Sequence, residues 1–331
     1  MRNRLAPLLF LSLLFLGGHR TAAGDLPSAS PPPGPAWALA IHGGAGTPPR
    51  DMPEERRRAY RESLASVLGD GRDRLAAGES ALDVVEALIL RFEDDPLFNA
   101  GKGAVFNAEE RHDLDAAIMD GSTLACGAVA GLTTVRHPIA LARLVMERTG
   151  HVFLAGPGAE RFADEAGVER VPNEWFSTPE RLEQLRKRQA EGKFGTVGVV
   201  ALDREGRLAA GTSSGGLTNK KWGRIGDVPV IGAGTYADGR VAVSCTGKGE
   251  EFIRHGIARE LAALVRYDHR SLAEAGRILM EERLRPGDGG LIAVDAEGRI
   301  LLAFNTDGMF RGAADPSGRF EVAIWEEPEK P

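Results

Sequence analysis

The chain has 331 residues, 43% of them hydrophobic and 27% charged, with a formal net charge of −6. It is long enough to bury a sizeable core, and its acidic balance speaks against nucleic acid or an anionic membrane surface as the main partner. Cys126 and Cys245 are the only cysteines, which excludes a disulfide scaffold, and the seven histidines are scattered without ligand spacing, which argues against a zinc site.

The first residues do not belong to the fold. Arg2 and Arg4 precede an apolar run over 5–16, which is followed by Gly17, Gly18 and small residues over 21–24. This order predicts a secretory signal peptide over 1–23 and export to the periplasm or beyond; the apolar run is short for a membrane span. A lead rich in Pro, Ser and Gly occupies 24–35. No later segment is apolar enough to cross a bilayer, so no membrane contact is expected once the signal is removed. In an oxidising compartment the two cysteines read either as a bridge or as two buried thiols.

A single domain is expected over 36–331. It opens with a strand over 37–41 and a glycine-rich turn from His42 to Gly46. A charged amphipathic helix over 53–77 follows. Ser80 then caps a helix with Ala81, Val84, Val85, Leu88 and Phe92 on one face, at helical spacing. Further helices are predicted over 138–147 and 158–166. Thr178-Pro179 has the residue order of a helix start, but residues 180–191 are almost wholly polar and read as part of an exposed linker over 178–195. Strands follow over 197–202, 207–210 and 241–245. The strings ALDREGRL (201–208) and AVDAEGRI (293–300) resemble each other and predict equivalent hairpins in two packed sheets. Helices over 250–267 and 271–280 complete an α+β pattern of layered sheets covered by helices.

The chemistry concentrates at Gly195-Thr196, where a threonine opens an apolar strand directly after a glycine and a charged stretch. A threonine hydroxyl is a poor nucleophile near neutral pH. Cleavage before Thr196 would free its α-amine and give the hydroxyl a base on the same residue. On these residues alone a buried strand threonine is the favoured reading, and features elsewhere in the chain reverse that preference.

Nine strings occur in order: AIHGGAG (40–46), DDPLFNAG (94–101), MDG (119–121), GTVG (195–198), TSSGGLTNK (212–220), GRIGD (223–227), GAGTYAD (232–238), SCTG (244–247) and FNTDGM (304–309). Together they resemble the plant-type asparaginase and isoaspartyl peptidase family of N-terminal-nucleophile hydrolases, over essentially everything after Ala36. The resemblance implies an αββα four-layer sandwich that cuts itself between Gly195 and Thr196. The products are an α subunit, 36–195, and a β subunit, 196–331, and the assembly is a dimer of αβ units.

Carried over by position, Thr196 is the autocleavage residue and the nucleophile, and its freed amine is the general base. Thr246 and the backbone N–H of Gly247 form the oxyanion hole, a donor set of which each member contributes about 3–4 kcal/mol in comparable hydrolases. Asn99 lies near the nucleophile and helps to orient it. Arg224 and Asp227 hold the α-carboxylate and α-ammonium of an aspartyl substrate, because a planar fork suits the first and a carboxylate the second. Thr246, Gly247 and Gly249 complete the substrate site. No cofactor is implied for catalysis. A loop over 92–102 is implied to wrap a structural sodium ion with the main-chain carbonyls of Phe92, Glu93, Asp95, Phe98, Ala100 and Lys102. Two residues depart from the family pattern. Ser214 stands where threonine is usual, and Lys248 where histidine is common. The expected substrates are β-aspartyl dipeptides and L-asparagine.

Three other functions fit parts of the chain. Gly211-Thr212-Ser213-Ser214-Gly215 matches the nucleophile elbow of a serine esterase with Ser213 at its centre, but 217–229 lacks the helix that an elbow should open. An exported, non-catalytic amino-acid-binding protein would use Arg224 and Asp227 alone. A glycosylasparaginase would share the threonine nucleophile, but that branch usually has Asp before it where this chain has Gly195.

Overall fold

A computed structural model describes residues 37–187 and 195–325. The expected signal peptide and lead, and residues 188–194 of the expected linker, lie outside the described residues. In chain order come strand β1 (Ala38–Gly46), helices α1 (Glu54–Ala76) and α2 (Ala81–Asp94), strands β2 (Leu114–Asp120) and β3 (Cys126–Leu132), and helix α3 (Pro138–Arg148). Strand β4 (Phe153–Ala155) and helices α4 (Gly156–Ala166) and α5 (Pro179–Arg186) lead to Thr196. Strands β5 (Val197–Leu202), β6 (Leu208–Ser214), β7 (Thr235–Ala237) and β8 (Val241–Gly247) follow. Helices α6 (Gly249–His255), α7 (Ile257–Arg266) and α8 (Leu272–Ile278) precede β9 (Gly289–Asp295), β10 (Ile300–Phe304), β11 (Gly308–Ala314) and β12 (Phe320–Ala323).

Among the described residues these strands make an eight-stranded sheet, β12-β11-β1-β5-β6-β2-β3-β4, and a four-stranded sheet, β10-β9-β8-β7. The two-residue period of a strand divides its side chains between two cores. Leu39 and Ile41 of β1, Val197 and Val199 of β5 and Ala209 of β6 face α1 and α2, where they meet Leu64, Val84, Val85, Leu88 and Phe92. Their neighbours Ala38, Ala40, Val200, Leu202 and Ala210 face the other way and pack against Val243, Cys245, Leu291 and Ala293 of the smaller sheet. Helices α7 and α8 cover the outer face of that sheet through contacts with β8 and β10. The order is therefore helix, sheet, sheet, helix, which is the αββα sandwich expected of the chain.

The two similar strings are equivalent hairpins in different sheets. Asp203 accepts from the backbone N–H of Glu205 and Arg207 at 3.0 Å each in the β5–β6 turn. Asp295 accepts from Glu297 and Arg299 at 3.1 and 2.9 Å in the β9–β10 turn. Ser80 caps α2 by accepting from Asp83 N, and Thr178 caps α5 by accepting from Arg181 N.

Three expectations need correction. The stretch from His42 to Gly46 is not a turn: it continues β1 opposite β11, with a bulge between His42 and Gly44. The helix expected over 250–267 is broken at Gly256, whose φ of 58° ends α6 and sets a new direction for α7. The polar linker is anchored at its start, because Arg181 of α5 turns inward and donates from Nε to Gly103 O at 2.7 Å. Cys126 and Cys245 are free thiols. Among the described residues no helix is long and apolar enough to cross a membrane.

Candidate active site

Thr196 immediately precedes β5, which is hydrogen-bonded on both sides, to β1 and β6, in the middle of the large sheet. Its side chain is buried, and Oγ1 lies 2.7 Å from the carbonyl oxygen of Gly195 and 3.2 Å from Ser214 Oγ. The hydroxyl is thus folded back over the peptide that precedes it. That carbonyl oxygen also accepts from Asn99 Nδ2 at 2.7 Å and lies 3.2 Å from Ser214 Oγ. Such a cluster of donors is placed to stabilise negative charge on the Gly195 oxygen.

Asn99 has no freedom left. Nδ2 also donates to Gly216 O at 2.8 Å, while Oδ1 accepts from Val105 N at 2.9 Å. A Cβ on residue 195 would lie 2.7 Å from Asn99 Cβ, so only glycine fits beside it. Ser214 lacks the methyl that would restrict a threonine rotamer, but Gly216 N donates to its Oγ at 2.8 Å and fixes it by hydrogen bonding instead.

Behind Thr196 sits His42, which the glycine-rich reading of that stretch overlooked. Its Nδ1 donates to Thr196 O at 3.1 Å, and its Nε2 accepts from Ser244 Oγ at 3.0 Å. Ser244 continues to Thr212 at 2.7 Å, and Thr212 to Thr235 at 2.7 Å. Burial lowers the His42 pKa to about 3, so the imidazole is neutral at physiological pH and holds the backbone of residue 196 as a hydrogen-bonded spacer. No local signal marked it, since one histidine among glycines carries no pattern.

Thr196 opens onto a narrow cleft lined also by Asp115, Ser214, Arg224, Asp227 and Gly247. Arg224 is gripped by Glu250, with Nε and Nη2 each 3.0 Å from its carboxylate oxygens, which leaves Nη1 as the uncommitted end of the fork. Asp227 is buried and its Oδ2 has no hydrogen-bond partner among the described residues. Burial raises its carboxyl pKa to about 7, against the pull of its own backbone N–H and of Arg224. Gly249 lies between the two groups: a Cβ there would sit 2.8 Å from both Arg224 Nη2 and Asp227 Oδ1. Asp115 was also overlooked. It accepts from Gly131 N at 2.9 Å, and burial raises its pKa while nearby Lys220 lowers it.

Thr246 is buried at the end of β8, where its Oγ1 accepts from Ala45 N at 3.2 Å and so keeps its own proton for another acceptor. The side chain of Lys248 is exposed and lies 4.0 Å from Glu251, directed toward solvent rather than into the cleft. Ser213, by contrast, is buried beneath α2 and donates to Glu93 Oε1 at 2.6 Å. It lies along β6 and not on a strand-to-helix turn, which removes the esterase reading.

The model of a protein family described as asparaginase matches residues 35–324. The isoaspartyl peptidase of Escherichia coli (strain K12) is 51% identical over 292 residues, covering 82% of this chain and 91% of that one. A probable isoaspartyl peptidase/L-asparaginase 2 of Arabidopsis thaliana is 43% identical, covering 88% and 99%. The isoaspartyl peptidase/L-asparaginase of Mus musculus is 40% identical, covering 86% and 90%.

Proposed function

The chain belongs to the asparaginase family, and from that premise we propose that it is an autoprocessed threonine amidohydrolase of β-aspartyl dipeptides and L-asparagine. The observation that carries the substrate class is the unpartnered buried oxygen of Asp227 facing the same cleft as Arg224 and Thr196. A buried carboxylate without a partner is costly, and a substrate ammonium would satisfy it. The free end of the Arg224 fork takes the α-carboxylate, and Gly249 keeps the space between them open.

Processing uses the Gly195–Thr196 peptide. Thr196 Oγ attacks the Gly195 carbonyl carbon, the C–N bond breaks, and the hydroxyl proton passes to the Thr196 nitrogen. Water then cleaves the ester, giving a Gly195 carboxylate and a free threonine amine. Asn99, with Ser214 beside it, is placed to stabilise the oxygen that becomes charged.

In turnover the new amine accepts the Thr196 hydroxyl proton, with an ordinary pKa of roughly 7.7–8.0. Oγ attacks the β-carbonyl of the substrate, and Thr246 and the Gly247 N–H receive the oxyanion. The amine returns the proton to the leaving nitrogen, and water hydrolyses the acyl-enzyme. Arg224→Ala should raise the KM for β-aspartyl dipeptides and asparagine at least tenfold; unchanged affinity would contradict the carboxylate assignment.

The loop from Phe92 to Lys102 fits the hard-cation cage implied for it. A Cβ at Gly101 would stand 2.1 Å from Glu93 O, and one at Gly103 2.2 Å from Phe98 O, so glycine at both positions lets the backbone pass close to two of these carbonyls. The carbonyls of Phe92, Glu93, Asp95, Phe98, Ala100 and Lys102 would hold sodium, which would stiffen the loop that carries Asn99. Export through residues 1–23 and a dimer of αβ units complete the proposal. A melting temperature independent of sodium against choline chloride, an uncleaved N-terminus and a lone αβ unit on gel filtration would each remove the corresponding part.

A further inference from the structure

A second cavity of about 470 Å3 lies on the other side of Gly195, in the size range of small-molecule sites, roughly 300–1,000 Å3. Gly195 lines both this cavity and the cleft of Arg224 and Asp227, so the two adjoin at that residue. The cavity's apolar side is aromatic: Tyr60 and Phe310 stack with ring centroids 4.4 Å apart, and Phe98 meets Tyr60 edge-on at 5.7 Å. Its polar side carries two cations, Arg56 and Arg181. Arg181 spends Nε on Gly103 O and Nη1 on Gln184 at 3.1 Å, while Nη2 reaches Leu97 O only at 3.4 Å. Arg56 lies over the Tyr60 ring at 5.9 Å. Among the described residues neither guanidinium is paired with a carboxylate, and Asp51, the acidic residue among the described lining, is exposed. Burial lowers the pKa of Arg181, as expected of a cation that lacks its anion.

We propose that this cavity is the subsite for the leaving residue of a β-aspartyl dipeptide, with its C-terminal carboxylate on Arg181 and Arg56 and an apolar side chain on the aromatic wall. The proposal rests on the hydrolase reading above. The aspartyl head is fixed at Arg224 and Asp227, and its β-carbonyl carbon at Thr196 Oγ. The leaving nitrogen must therefore sit where the Thr196 amine can return its proton to it. That amine is the atom now bonded to Gly195. When the Gly195–Thr196 bond breaks, the partition is released at that point, and cleft and cavity become continuous along the path that the leaving residue needs. As the acyl C–N bond breaks, the nitrogen takes the proton and the free amino acid departs through the cavity. Ammonia, the leaving group of asparagine, reaches none of it. The cavity thus separates peptide from amide substrates without touching the aspartyl head.

The test compares kcat/KM of the processed enzyme for β-aspartyl-leucine, its C-terminal carboxamide and L-asparagine. Capping the carboxylate should lower kcat/KM about tenfold or more, mainly through KM. Arg56→Gln, a change on an exposed side chain, should lower the ratio of dipeptide to asparagine kcat/KM several-fold and shrink the carboxamide effect. Equal turnover of acid and carboxamide, or a parallel fall for dipeptide and asparagine in Arg56→Gln, would overturn the subsite. No turnover of either parent substrate by the wild type would instead overturn the hydrolase reading, and the subsite with it.

Discussion

Asp227 offers a kinetic signature that can be worked out in advance. Burial places its carboxyl near pH 7, about three units above the usual value, with the negative charges of Glu250 and Asp115 adding to the shift. Only the ionised form can receive a substrate ammonium. The free enzyme must therefore lose one proton from Asp227, near pH 7, and one from the Thr196 amine, near roughly 7.7–8.0, before it is competent. At pH 6 the first requirement lowers kcat/KM about tenfold and the second about sixtyfold, because the free-enzyme groups govern that parameter. Log kcat/KM for asparagine should then rise with a slope of two below pH 7. Asp227→Asn removes one titration: the slope should fall to one, on a plateau lowered by weak ammonium binding. The assay is ammonia release from asparagine across pH 5–9 in buffers of constant ionic strength. A slope of one in the wild type, or a slope of two that survives in Asp227→Asn, would refute the assignment of Asp227 as the ammonium acceptor.

Two further outcomes follow from the same geometry. Gly249→Ala places a methyl 2.8 Å from both Arg224 Nη2 and Asp227 Oδ1, so the KM for asparagine should rise at least tenfold while the melting temperature changes little; an unchanged KM would show that the space between the two charges is not used. His42 has a folded pKa of about 3, depressed from 6.5, so its contribution is present above pH 6.5 and is lost as pH falls toward 3. At pH 5 that is a loss of about 2 kcal/mol, from 1.5 units at 1.36 kcal/mol each. It is best read by denaturant titration in an uncleaved Thr196→Ala background, where unfolding remains a property of one chain. His112, at about 4, acts in the same direction. Replacing His42 with Gln should therefore flatten part of the stability profile between pH 7 and 5, and an identical profile would place the His42 titration elsewhere.

Much of the site was legible because its chemistry is local. Thr196, Arg224 and Asp227 stand in short strings whose residue types match the roles proposed for them, and the repeated Asp–Gly–Arg hairpins announced two sheets. Other parts carry no local signal. Strand β3 is more than half Ala and Gly, which form strands poorly in isolation, and β2 has no β-branched residue but Ile118; they are strands because their buried faces pack against the layers around them. The stretch after His42 reads as a turn because glycines dominate it, and it becomes an extended edge of β1 where the backbone passes close to Gly195 and Thr196. His42 and Asp115 are brought to the site by sheet pairing alone, from positions far apart in the chain. The break at Gly256 was readable, since a glycine within a long helical pattern is where a chain can change direction.

The account stands on Thr196 becoming a chain terminus. Intact mass and N-terminal sequencing of the purified, active protein test this most directly, with Thr196→Ala alongside. The wild type should separate into two chains, the smaller beginning at Thr196, while Thr196→Ala stays whole and inactive. An active protein in which the Gly195–Thr196 peptide is unbroken would contradict the account.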